Sequence, residues 1–232
     1  MSFDAVSSVL VIVPALNEEE GIEWVLQHMP EGFHVSVVDG GSTDETVEVA
    51  KQYRAMVIRQ RFGRGKGCGV RTGMEFFLDT EHAVLFMVDG DGSNDPTEYP
   101  RMIKGMEDEK ADVVLGSRIR GKREKGAMDS FSIFSNLIVS LLLGLRFLRI
   151  FTDVQTGYWV FSRKAVKTLY PRLKARGFEI EMEIFMSTFD AGLRCIEVPV
   201  GYKKRFGKTK FSLFLRFRNF GYMIYYLLRS FF

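Results

Sequence analysis

The sequence predicts an α/β protein, a mostly parallel sheet flanked by helices, and three observations predict it. Short β-branched or apolar runs alternate with segments of helical period through the first half of the chain. One run, Ala83–Asp89 (AVLFMVD), is apolar almost throughout, as a strand covered on both faces must be. Polar residues gather where the runs end: Asn17 and Glu18, Asp39, Asp89 and Asp91, and Arg118. In open α/β sheets ligands bind beyond the carboxyl ends of the strands, so these ends should build one crevice.

The elements follow in order. Ser8–Pro14 (SVLVIVP) is a β-branched strand, and a helical pattern runs from Glu18 to Met29. His34–Asp39 is a second strand, and Thr43–Gln52 a helix with Ser42 or Thr43 as its cap. Met56–Arg59 is a third strand, then a glycine-rich turn enters a helix reaching about Asp79. After the Ala83–Asp89 strand, Asp95-Pro96-Thr97-Glu98 places Asp at a cap, Pro first and Glu third, a strong helix start. Asp112–Ser117 is another strand, and Lys122–Lys125 a charged loop. The second half offers an apolar helix Phe131–Leu145, a strand Tyr158–Ser162, helices near Arg163–Tyr170 and Glu181–Ala191, and a strand Cys195–Tyr202.

Composition narrows the class. A chain of 232 residues with 46% apolar and 26% charged residues can bury a full core and is neither disordered nor fibrous. Two cysteines, Cys68 and Cys195, are too few for a disulfide scaffold or a cysteine zinc site, and three scattered histidines form no cluster. The net charge of +3 conceals an asymmetry. Val198–Phe232 holds eight Lys or Arg and no acid, which leaves 24 basic and 29 acidic residues elsewhere. A basic tail on an acidic body suits an anionic partner. The N-terminus lacks the basic n-region of a signal peptide. The longest apolar stretch, Leu137–Leu145, is far shorter than the roughly 18–20 residues a spanning helix needs, so no transmembrane helix is expected.

Asp89-Gly90-Asp91 is the sharpest chemical feature. Two carboxylates at i and i+2 share a face, and hard oxygens suit Mg²⁺ or Mn²⁺ bound together with substrate phosphates. A solvated turn has the same composition, and the position after a buried strand favours the site. Asp95 is set aside as a ligand because Pro96 and Glu98 make it a helix cap. The run Gly63–Gly69, which contains Lys66, either cradles phosphate or turns the chain into a helix; it lacks the Walker spacing.

In order, PALNEEE, VVDGGSTDET, GKG followed by RTG, VDGDGSNDP, GSR, DVQTGYWVF and KRFGKTK resemble the inverting family 2 glycosyltransferases, closest to the dolichyl-phosphate mannose synthase group. The resemblance covers about residues 8–211 and implies the GT-A fold, a Rossmann-like mixed sheet. It also implies transfer of one sugar (mannose, glucose or N-acetylglucosamine) from a GDP- or UDP-linked donor to a polyprenyl or dolichyl phosphate. By the same resemblance Pro14, Leu16, Glu18, Asp39 and Gly40 line the nucleotide pocket, with Lys66, Asp89 and Gly90 also on the donor. Asp91 holds Mg²⁺ or Mn²⁺ against the diphosphate, joined by Asp89 and Ser93. Arg118, Arg205 and Lys210 grip the diphosphate or the acceptor phosphate, and Asp153 and Glu181 lie on the acceptor side. Asp91, Arg118 and Asp153 are the expected catalytic set. Departures from the family pattern are Leu16 for an aromatic, Gly40 for a second acid, and Ser93 for Gln or His.

The chemistry is coherent with that resemblance. A departing diphosphate needs a divalent cation and Arg or Lys. A sugar hydroxyl acceptor would need a general base, whereas a lipid phosphate is already ionised near neutral pH. The expected division is a glycosyltransferase domain at 1–210 and an amphipathic helix at 211–232. That last segment holds nine aromatics, Arg216, Arg218 and Arg229, and no acid, which suits a membrane interface. Packing on the core, on a membrane subunit or on a second copy is the rival reading; nucleic acid is disfavoured for want of a motif. The expected location is the cytoplasmic face of a membrane, peripherally attached. A same-fold enzyme acting on a glycan and a silent subunit of a membrane complex are the competing functions.

Overall fold

The computed structural model describes residues 8–207 together with Phe220, Gly221 and Ile224. Seven strands form one sheet: β1 (Val9–Ala15), β2 (His34–Asp39), β3 (Met56–Arg59), β4 (Val84–Met87), β5 (Val113–Ser117), β6 (Trp159–Ser162) and β7 (Cys195–Pro199). Their order is β3-β2-β1-β4-β6-β5-β7. The helices are α1 (Glu19–Gln27), α2 (Thr46–Gln52), α3 (Lys66–Leu78), α4 (Tyr99–Asp108), α5 (Ser130–Phe147), α6 (Arg163–Leu169) and α7 (Ile180–Asp190).

Alternation along each strand splits the core in two. Leu10, Ile12, Leu85 and Met87 face one apolar cluster with Met74, Phe77, Phe161 and Phe185. Val9, Val11, Val13, Val84, Phe86 and Val88 face the other with Ile22, Val25, Tyr99 and Met102. Successive side chains point to opposite faces, so runs covered on both faces must be apolar throughout. Both fully buried faces explain the AVLFMVD run.

One strand runs against the others. β6 pairs antiparallel with both β4 and β5, while every other pairing is parallel. An antiparallel strand begins at the end where its neighbours finish. The residues just before β6, Asp153–Gly157, are therefore delivered to the carboxyl ends of β4 and β5. This reversal brings a second-half motif to the crevice.

Three of the boundary differences bear on the site or the surface. Neither Ser42 nor Thr43 caps a helix, because α2 starts only at Thr46 behind Glu45. Those two residues instead stitch loops: Asn17 N–H donates to Ser42 Oγ (2.9 Å) and Thr43 N–H to Asn17 Oδ1 (2.7 Å). β7 ends at Pro199 rather than Tyr202, which makes isolated bridges to Asn94 and Arg123. α5 is longer than its apolar run suggested, and over its 18 residues it is long and apolar enough to cross a membrane by length and composition. The expected cap at Asp95 is present; its carboxylate accepts from Thr97 N–H at the start of a 3-10 turn leading into α4. The expected helix at 211–232 lies outside the described residues apart from Phe220, Gly221 and Ile224, and so does Lys210.

Candidate active site

The loops after β1 and β2 close one side of the crevice. Asn17 takes a left-handed conformation (φ 50°), which asparagine tolerates better than most residues, and its side chain locks the two loops together. Asp39 is nearly buried at the end of β2, where its carboxylate accepts from Gly41 N–H and Ser42 N–H (3.0 Å each). Gly40 N–H donates to Ala15 O, and a methyl group there would press on Ala15 O and Leu16 Cβ. Leu16 remains exposed beside them, an apolar surface next to a carboxylate turn. Pro14, at the end of β1, lies close to Gly69 of α3.

The glycine-rich turn resolves in favour of chain packing. Gly67 N–H donates to Gly177 O and Cys68 N–H to Arg176 O, so these donors are occupied by backbone. A side chain at Gly65 or Gly67 would collide with backbone atoms at Arg176 or Ala175. The turn's contribution to the crevice is therefore Lys66, the first residue of α3. Its ammonium lies 2.6 Å from Asp89 Oδ1 and 2.7 Å from Glu181 Oε1. Burial alone would depress the Lys66 pKa, but the two facing carboxylates push it well above the ordinary lysine value. Burial raises Glu181, which Lys66 only partly offsets.

Asp89 sits just beyond β4, its carboxylate packed against Gly157 so closely that any side chain at 157 would overlap it. Asp91 turns in a different direction. Its Oδ1 accepts from Ser93 N–H (3.0 Å) and from the Ser93 hydroxyl (2.5 Å), and its Oδ2 lies 3.6 Å from Arg205 Nη1. Ser93 is buried, and its hydroxyl supports the Asp91 carboxylate. Gly90 packs on Val13, Pro14 and Ala15, which holds the acidic turn against the end of β1.

A strap from the C-terminal side crosses this turn. Lys203 N–H donates to Ser93 O and Phe206 N–H to Asp91 O (2.9 Å each). The Phe206 ring covers Gly92 and stacks on Trp24, over which Lys203 Nζ also lies at 4.5 Å. The strap delivers Arg205, which pairs with Glu18 Oε1 at 2.7 Å while facing Asp91. Burial opposes the Arg205 charge, but Asp91 and Glu18 hold it firmly protonated.

Asp153 lies at the centre of a buried ion pair. It is 0% exposed, and both carboxylate oxygens are engaged by Arg118, through its backbone N–H (2.8 Å), Nε (2.7 Å) and Nη2 (2.7 Å). Enclosed in this way it anchors Arg118. The loop is held in turn by Glu197, which accepts from Thr152 N–H and Asp153 N–H, and by Asn136 of α5. Arg118 also donates to Gln155 O and lies under the Tyr202 ring at 5.2 Å.

The structure thus joins Glu18, Lys66, Asp89, Asp91, Glu181 and Arg205 in two alternating acid–base clusters, with Arg118 and Asp153 as a buried pair beside them. Sequence reasoning left out Gly157, Tyr202, Trp24 and Phe206. Gly157 lies within the quoted DVQTGYWVF and Tyr202 two residues before KRFGKTK, but nothing in a sequence tells that Asp89 presses on the one and Arg118 on the other. Among the described residues no group of three or more His, Cys, Asp or Glu converges as an all-protein metal cage.

Comparisons place this geometry among known proteins. The glycosyl transferase family 2 profile matches residues 10–170. An uncharacterized protein of Methanocaldococcus jannaschii is 32% identical, the alignment covering 83% of this chain and 80% of that one. A UDP-N-acetylglucosamine–dolichyl-phosphate N-acetylglucosaminyltransferase of Methanococcus voltae is 27% identical, with 83% and 84% covered. An undecaprenyl-phosphate mannosyltransferase of Micrococcus luteus is also 27% identical, with 88% and 87% covered. Among solved structures, glucosyl-3-phosphoglycerate synthase of Mycobacterium tuberculosis, crystallised with Mn²⁺ and uridine-diphosphate-glucose, superposes with a TM-score of 0.74 at 23% identity, covering 96% of this chain and 78% of that one. The sheet, the order of motifs and the profile agree: the chain is a glycosyltransferase of GT-A fold and belongs to glycosyl transferase family 2.

Proposed function

We propose that the protein transfers one sugar, with inversion, from a nucleoside-diphosphate sugar to a polyprenyl or dolichyl phosphate. The observation that carries this reading is the alternation of charge at the end of β4. Asp89 and Asp91 each meet a cation supplied by a different element, Lys66 from α3 and Arg205 from the strap. Such a site offers carboxylates to a divalent ion and cations to the phosphates that accompany it.

The donor set fits Mg²⁺ or Mn²⁺. These ions are bound through one or two carboxylates plus substrate phosphates, so the missing third protein ligand is no obstacle. Asp91 would hold the ion, with Asp89 beside it. The bound ion would neutralise charge on the departing diphosphate. Arg205 would move from Glu18 and Asp91 toward the diphosphate, Lys66 would keep Asp89 oriented, and Leu16 with Asp39 would receive the base and ribose. Lys210, three residues past the last described residue of the strap, would assist.

The acceptor reading is supported by the ionised state of a phosphate and by the relatives. The candidate base Asp153 is enclosed under Arg118, and no histidine belongs to the motifs. A phosphate acceptor arrives ionised and needs no base. Two relatives that act on different sugars share a polyprenyl-type phosphate in their names, which supports the acceptor and leaves the sugar to experiment. The 211–232 segment would rest on the membrane that holds such a lipid, on its cytoplasmic face, with 1–210 as the enzymatic domain. The test is transfer of labelled sugar from UDP- and GDP-linked donors to polyprenyl phosphate, read in the organic phase. Label should enter that phase with wild type and not with Asp91→Ala. Label passing only to a water-soluble glycan would overturn the acceptor.

A further inference from the structure

α5 is inside out. Helices on the surface of a water-soluble domain turn their apolar stripe inward and their polar face to solvent. Here the buried side carries Ser135, Asn136 and Ser140 with Val139 and Leu143. The outer side carries Phe134, Leu137, Leu141 and Leu145, followed by Leu148 and Ile150 just past the helix. The last four are 58%, 63%, 89% and 94% exposed. Spacings of three and four residues put the helical members on one stripe. Of the eleven exposed large apolar side chains among the described residues, six lie between Phe134 and Ile150, so this is a face rather than scatter.

The inner polar side is committed. Asn136 donates to Thr152 O and accepts from Gln155 N–H, and Ser140 Oγ accepts from Val154 N–H. These bonds hold the loop that carries Asp153. A helix bonded in this way cannot leave the domain to cross a bilayer, although its length and composition would allow it. It can lie in the plane of one.

The charge around it chooses the occupant. Between Ile119 and Ile150 there are six Lys or Arg and two acids. Arg120, Lys122, Arg123, Lys125 and Arg149 are all exposed. Two copies docked through this face would bring like-charged rims together, whereas anionic headgroups complement them. At the start of the helix Phe131 meets Phe220 edge to face. We propose that the outer face of α5, continued through Leu148 and Ile150, is an in-plane docking surface for an anionic lipid bilayer, independent of the 211–232 segment. Its position one helix away from the Asp153–Arg118 pair would set the crevice beside the lipid surface.

The test uses the full chain and flotation with phosphatidylcholine vesicles, with and without phosphatidylglycerol. Wild type should float, more strongly with phosphatidylglycerol. Leu141→Glu with Leu145→Glu should reduce partitioning at least about tenfold, since two apolar side chains lose their burial in the interface. Leu148→Glu with Ile150→Glu, outside the helix, should weaken it in the same direction without touching α5 packing. Melting temperatures matching wild type exclude misfolding as the cause. Undiminished flotation of both folded variants would overturn the proposal. So would wild type that ignores vesicles but self-associates in sedimentation through these leucines, which would make the occupant a second copy. Vesicle binding is the readout throughout, so the result stands apart from whether polyprenyl phosphate is the acceptor.

Discussion

Asp153→Asn separates two views of the crevice. If Asp153 anchors Arg118, the change strands a buried guanidinium that now donates two hydrogen bonds to a carboxylate that also accepts from the Arg118 backbone N–H. The Arg118 side chain is 12% exposed and Asp153 0%, so solvent cannot restore the lost charge. Breaking a buried pair from one side costs about 3–5 kcal/mol. For a domain of this size each kcal/mol moves the melting temperature by about 2–4 °C, which gives a fall of roughly 6–20 °C. The assay is a calorimetric or circular-dichroism melt of Asp153→Asn, Arg118→Leu and the double variant. The double variant should be less destabilised than the sum of the singles, because it leaves no charge unpaired. Activity of Asp153→Asn should decline with the folded fraction and return in part on cooling. A variant that melts with wild type but has lost all transfer would refute the anchor and point to a direct catalytic role for Asp153.

Further predictions follow from the same contacts. Gly157→Ala drives a methyl into the Asp89 carboxylate, so the folded variant should bind donor nucleotide at least about tenfold more weakly in calorimetric titration. Arg205→Ala should raise the donor KM more than it lowers kcat, because its partners Glu18 and Asp91 keep their places through Phe206 N–H and the loop bonds; a pure kcat loss would contradict this. Burial raises Glu181 above the ordinary glutamate value of 4.5, so the folded state holds this proton to higher pH than the unfolded chain. The contribution is present below 4.5 and is lost as pH rises through the folded value; Glu181→Gln should flatten stability over that window, read from denaturant midpoints.

Much of this was legible in the sequence. The strands announced themselves because burial on both faces demands continuous apolar runs, and the Asp95 cap because Pro96 and Glu98 fill the places a helix start assigns them. The acids Asp89 and Asp91 were legible because they follow a buried strand. Their partners were less so. Lys66 stood in a glycine run that reads equally as a phosphate cradle, and only the backbone bonds to Arg176 and Gly177 decide between the two. Asp153 entered the expected catalytic set through the resemblance, and its pairing with Arg118, 35 residues away, is a tertiary contact that no sequence pattern displays. The outward-facing leucines of α5 were hidden for a simpler reason. Composition reports how apolar a helix is, but which side faces the domain is settled by Asn136 and Ser140 bonding to the loop before β6.

The measurement that tests the central claim most directly is thermal stability with UDP or GDP, each with and without Mn²⁺, for wild type and Asp91→Ala. A nucleotide at 100 times its dissociation constant should add about 2.7 kcal/mol, or roughly 5–11 °C for a domain of this size. The account predicts a shift with one of the two nucleotides, enlarged by Mn²⁺ in wild type and insensitive to Mn²⁺ in Asp91→Ala. No shift with either nucleotide in folded wild type, or an equal Mn²⁺ effect in the variant, would contradict the assignment of this crevice as the donor site.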